Sequence, residues 1–129
     1  MKKLNIYADS TEAINGTDNT QWSALFDHEP LANVARIRLQ PGIVQDRHFH
    51  RNGADIFIII EGQGRLIYGD VSTKTEALVE EKSLEVARGD VYFIDPFQMH
   101  ALENTGKNDL VWLNIAPGDH ADIDCVYMR

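Results

Sequence analysis

The sequence predicts an all-β protein, a sandwich or barrel of many short strands. Three observations carry this reading. Apolar residues rarely recur at helical spacing, they fall instead in short runs of strand-forming residues, and turn chemistry separates those runs at close intervals. Many short strands spaced in this way belong to sandwiches and barrels.

In chain order the predicted strands are residues 22–26, 34–39, 47–49, 56–60, 65–68, 84–87, 91–94, 101–102 and 110–115. Between them lie "HEPLAN", "QPG", "RNGA", "EGQG", "ARGD", "IDPFQ", "NTGKND" and "APGDH", supplying the Gly, Pro, Asn and Asp that turns require. The stretch "GDVSTKTEALVEEKSLEVARG" is too long for a simple turn. It reads either as an extended hairpin with a polar tip or as a short helical turn over 75–82. Residues 1–21, with "STEAINGTDNTQ", are polar and weakly patterned, and are expected to wrap the outside as an arm. No internal repeat or linker divides the chain, so residues 1–129 are expected to form one domain.

An apolar fraction of 43% with 25% charged residues suits a globular protein. The formal charge of −8 argues against nucleic acid or an anionic membrane as the main partner. No apolar run approaches the ~20 residues of a membrane-spanning helix. Lys2 and Lys3 resemble the start of a signal peptide, but Asn5, Asp9 and Glu12 interrupt any apolar segment after them. The single cysteine, Cys125, cannot make an internal disulfide and is read as a strand residue, not a nucleophile. A cytoplasmic protein is expected.

The segment "GIVQDRHFHRNGADIFIIIEGQG" carries the chemistry. Side chains alternate across a strand, so His48 and His50 point one way while Arg47, Phe49 and Arg51 point the other. Two imidazoles on one face form a natural chelating pair. A turn over 51–54 can bring Asp55 beside them, and His100 opens another short strand far down the chain. Three imidazoles and one carboxylate suit a divalent transition metal with positions left open for water or substrate. His28 and His120 lie in turn segments and are expected at the surface.

The spacing resembles the two motifs of the cupins. Gly42 is followed by five residues, His48-Phe49-His50, four residues, Asp55, six residues and Gly62. Gly89 is followed by five residues, Asp95-Pro96-Phe97, two residues, His100, three residues and Asn104. The first motif thus covers 42–62 and the second 89–104. Two departures stand out. Asp55 takes the place of the family's glutamate, one methylene shorter, and Asp95-Pro96-Phe97 replaces a proline-x-glycine turn, with the proline shifted one place and Phe97 standing for the glycine.

The resemblance implies a double-stranded β-helix, or jelly-roll barrel, holding one metal per chain, whether Fe, Mn, Ni or Zn. It implies His48, His50, Asp55 and His100 as ligands. A second arrangement keeps only the three histidines on the metal, with Asp55 orienting them by hydrogen bonds. If Asp55 points inward, so do Phe57 and Ile59, which leaves Ile56, Ile58 and Ile60 outside. That apolar outer stripe predicts a covering layer, and a homodimer is preferred to coverage by the N-terminal arm alone. Phe57, Gln98, Leu113, Trp22 and Tyr92 are the candidates for lining a pocket, and an inward Arg36 or Arg38 would indicate a carboxylate substrate. Glu61, Glu103 and Tyr92 are the nearest candidate bases. The resemblance admits small-molecule dioxygenases, decarboxylases, lyases and isomerases; the alternative is a non-catalytic module that binds or senses a small ligand.

Overall fold

The computed structural model describes residues 1–27, 29, 32–117 and 124–128. Eleven strands run β1 (Ile14–Asn15), β2 (Gln21–Phe26), β3 (Asn33–Leu39), β4 (His48–Phe49), β5 (Asp55–Glu61), β6 (Gln63–Asp70), β7 (Lys82–Ala87), β8 (Val91–Ile94), β9 (Gln98–Asn104), β10 (Leu110–Ala116) and β11 (Val126–Tyr127). All nine expected strands are present among them. The short β1 and β11 are additional, too brief for their pattern to show in the sequence. His28 and His120 fall outside the described residues.

The strands form two antiparallel sheets, ordered β1-β2-β3-β10-β5-β8 and β11-β4-β9-β6-β7. Consecutive strands repeatedly cross between the sheets, as in a jelly roll. Of the two readings of the long polar stretch, the hairpin holds: β6 and β7 pair from Gln63↔Ala87 to Tyr68↔Lys82, and Val71 bridges Leu78 beyond them.

The core lies between the sheets. Trp112, Leu110, Leu39 and Leu102 are fully buried there, with Phe57, Ile59, Leu66 and Val86 packed among them. Each such side chain stabilises the fold by ~1.5–3 kcal/mol through burial. On β5 the inward residues are Asp55, Phe57 and Ile59, as alternation requires. On β10 they are Leu110, Trp112 and Asn114, since Trp112 pairs with Ile59 and Asn114 with Phe57. Leu113 therefore sits on the outer face, paired with Ile58. Both faces of this strand are apolar in sequence, so periodicity alone could not choose between them.

The outer faces of the two sheets are covered differently. Phe49, Val71 and Met99 form a second buried cluster, topped by Leu78, Phe97 and Val126. The hairpin beyond β6 thus seals the back of the strands that carry the histidines. On the six-stranded sheet the arm crosses β2 and β3: Ser23 Oγ donates to the Thr11 carbonyl, and Arg36 Nη1 to the Ile6 carbonyl. Farther across, Ile56 pairs with Phe93 and Ile58 with Val91. Val91 and Phe93 are 63% and 57% exposed, so this end of the stripe faces outward uncovered within one chain.

Two turns fix the strands that hold the site. Gly62 adopts φ +84°, and a Cβ there would lie 2.6 Å from the Asp109 carbonyl oxygen, so only glycine fits. Phe97 keeps the left-handed conformation that a glycine would take freely, at φ +58°. Its N–H donates to the His50 carbonyl at 2.8 Å, and its ring packs on Phe49 at 5.6 Å. These contacts offset a backbone cost of ~1–2 kcal/mol. Asn104 is buried and donates to the Leu39 and Asn108 carbonyls, tying β9 to the sheet opposite.

Candidate metal centre

The pairing of β4 with β9 sets His48 directly opposite His100, and His50 follows two residues after His48 on the same face. All three imidazoles are buried, and their ligand-capable atoms lie within 4.8 Å of one another. Each ring is held by a backbone carbonyl. Nδ1 of His48 faces the Asp46 carbonyl at 2.9 Å, Nδ1 of His100 the Gln98 carbonyl at 2.9 Å, and Nδ1 of His50 the Asp124 carbonyl. A carbonyl only accepts, so every Nδ1 carries a proton, and in the neutral ring the lone pair is then on Nε2. This tautomer presents Nε2 to a metal, and it is set by partners outside the histidine group.

Charge follows the same logic. Burial holds the His48 imidazole well below its ordinary pKa, and its histidine neighbours add repulsion. It is therefore neutral and able to donate electrons. Nε2 of His100, on a fully buried side chain, has no hydrogen-bond partner. A buried nitrogen lone pair without a donor is costly unless something electrophilic meets it, so the residues present fit a metal. The three-histidine group can bind one.

Asp55 stands at the edge of this group, 1% exposed. Its Oδ2 lies 3.2 Å from His50 Nε2 and 3.5 Å from His100 Nε2. Its Oδ1 accepts from Asn114 Nδ2 at 2.9 Å. The carboxylate thus reaches the histidines from the opposite sheet, steered by the one polar residue on the inner face of β10.

The residue that completes the arrangement was not legible in the sequence. Besides the carbonyl that holds His50, Asp124 offers a carboxylate that accepts from the backbone N–H groups of Arg51, Asn52 and Gly53 at 2.7–2.9 Å. Burial pushes this carboxyl up, but the three donors outweigh it and hold it below its ordinary range. Its stabilising effect is therefore complete above about pH 4 and fades as pH falls through the depressed value. Asp124→Ala is expected to cost about 2–3 kcal/mol at neutral pH in chemical denaturation, with the gap to wild type closing in strong acid.

A cavity of about 300 Å³ opens from His48 and His50. Trp22, Gln45, Asn114, Cys125 and Tyr127 line it. Of the other candidates, Phe57 packs edge-on to His100 at 5.6 Å and Tyr92 lies against Phe57 at 4.9 Å, both on the core side of the site. Burial pushes the Tyr92 hydroxyl well above its ordinary pKa, with the Asp55 charge adding to the rise, so it stays protonated at neutral pH. Gln98 is spent on the turn before β9, donating to Asp70 and accepting from the Asp95 N–H. Leu113 is on the far face of its strand. Glu61 is exposed at the end of β5, and Glu103 lies 3.8 Å from Arg65. Burial lifts the Cys125 thiol to about 11, so it is not a thiolate at neutral pH. No helix of the described residues is long and apolar enough to cross a membrane.

Comparison with known proteins agrees with the fold. The chain is 29% identical over 104 residues to the oxalate-binding protein of Thermotoga maritima, covering 78% of this chain and 77% of that one. Among solved structures, the polyketide cyclase RemF from Streptomyces resistomycificus matches with a TM-score of 0.77 at 16% identity, over 100% of this chain and 86% of that one. A predicted oxalate decarboxylase from Thermotoga maritima matches with a TM-score of 0.68 at 24% identity, over 90% and 98%. The family model for the cupin domain matches residues 35–116, well over half of the sequence, and the chain belongs to the cupin family.

Proposed function

We propose that this cupin binds one divalent transition metal through His48, His50, His100 and Asp55, and that it is an enzyme acting on a small molecule seated beside the metal. The observation that carries this reading is the set of three Nδ1–H···O=C contacts around a histidine group whose ligand-capable atoms lie within 4.8 Å of one another. A bound divalent metal supplies Lewis-acid polarisation of a ligand oxygen, or dioxygen activation if it is iron. The chain's own residues do the rest. The carbonyls of Asp46, Gln98 and Asp124 fix the tautomers, Asn114 orients the carboxylate, and the cavity walls receive the substrate.

A second reading, a non-catalytic ligand-binding cupin, is favoured by the name of the oxalate-binding relative. Turnover separates the two. Metal-loaded protein given a panel of small carboxylates, enediols, phenols and sugars, with oxygen consumption followed, shows metal-dependent reaction if it is an enzyme. Binding without any reaction across the panel favours the second reading.

Asp55→Asn tests the fourth ligand. Loss of an orienting partner costs ~10–100-fold in metal affinity, so a larger fall marks direct ligation. We expect the larger fall, measured by competition with a chelator.

The reading includes a second copy of the chain on the outer face of the six-stranded sheet. Ile56, Ile58, Val91, Phe93 and Leu113 form one uncharged patch there, and a two-fold axis would bury it against itself. Phe93→Glu is expected to shift the protein toward monomer in sedimentation equilibrium while leaving metal content unchanged.

A further inference from the structure

We propose that the ligand of this site is uncharged and largely apolar, with an oxygen-bearing end at the histidines and a flat hydrocarbon body in the channel beside them. Only the oxygen-bearing end rests on the metal reading above. From His48 and His50 the cavity runs along the inner side of β2 and β3, where Trp22, Ala24, Ala35 and Ile37 are among its walls. Such walls reward the burial of hydrocarbon and stack against rings. The volume, about 300 Å³, is at the lower end of the ~300–1,000 Å³ of small-molecule sites. It nevertheless exceeds what a two-carbon acid would fill.

Charge points the same way. Among the described residues lining the cavity there is neither lysine nor arginine, whereas Asp18 and Asp27 are both present. The two arginines of β3 could have supplied a cation, and both turn away. Arg36 reaches the arm, donating to the Ile6 carbonyl and lying 3.6 Å from Asp9, and Arg38 lies 3.2 Å from Asp109. Asp55 adds a further negative charge at the inner end. A dicarboxylate has to leave its hydration shell for charge-assisted partners, ideally the fork of a guanidinium. Among the described lining residues it would meet carboxylates, neutral polar groups and hydrocarbon, with no lysine or arginine to pair with. A neutral ligand with the same oxygens avoids that cost and uses the walls.

The test compares two probes by calorimetry, naphthalene-2,3-diol and oxalate, each titrated into metal-loaded and metal-free protein. The diol is expected to bind about tenfold or more tightly than oxalate in both forms. Ala35→Leu narrows the channel and is expected to weaken the diol by about tenfold while leaving oxalate within about twofold. Ala24→Leu, at an exposed position on the same wall, gives the same readout if Ala35→Leu does not fold. Oxalate binding as tightly as the diol, or a diol affinity indifferent to both substitutions, overturns the proposal. Protein that takes up no metal but still prefers the diol refutes the metal reading alone and supports this one.

Discussion

His100→Ala protein, purified without affinity-tag metal, is expected to carry less than about a tenth of the metal bound by wild type. On the proposed assignment, His100 is the ligand with least freedom to be replaced. Its side chain is fully buried, its strand is paired on both sides by β4 and β6, and its Nε2 meets no other donor. Removing it leaves two imidazoles and the Asp55 carboxylate, and water is a weak substitute for the lost nitrogen in so closed a place. A thermal measurement gives an independent check. Because metal binds the folded state, a chelator should lower the melting temperature of wild type and leave that of His100→Ala unchanged. If the double variant His48→Ala/His100→Ala kept the wild-type metal, the assignment of these histidines would be wrong.

Trp112→Ala is expected to cost ~3–5 kcal/mol, a large part of the ~5–15 kcal/mol by which such domains are stable. Trp112 is the largest of the fully buried side chains. It stacks on Phe57 with ring centroids 6.3 Å apart and planes 20° from parallel, and Phe57 in turn abuts His100. Neighbouring strands cannot collapse into the space without breaking their pairing, so a cavity persists. Denaturant unfolding should show the midpoint falling sharply with little change in slope. Metal added in excess should recover only part of the loss, since it restores none of the packing.

Much of the site was legible because strand geometry is strict. Period-two alternation put His48 and His50 on one face, and turn residues located the strand of His100. Asp55 followed from its place at the head of the apolar run. The inner face of β10 was not legible, because "LVWLNIA" is apolar on both faces and only Asn114 betrays the inward one. That ambiguity sent Leu113 to the pocket and left Asn114 unnoticed. Asp124 escaped for a different reason. Its partners lie more than seventy residues away in sequence, and an aspartate before a short strand has no local mark of such a role. The direction of Arg36 was fixed by the arm, whose weak pattern gave no docking site. Phe97 shows the opposite case: a motif glycine was missing, yet packing held the turn it would have made.

The donors come from both sheets: His48 and His100 sit on β4 and β9, while Asp55 sits on β5 across the barrel. On the proposed assignment, a metal held by all of them would be a cross-link as well as a cofactor, closing the stretch of chain from Asp55 to His100. Such a staple acts on the rate at which the sheets part, not only on the equilibrium. Metal-loaded protein should therefore resist proteolysis in proportion to its unfolding half-life.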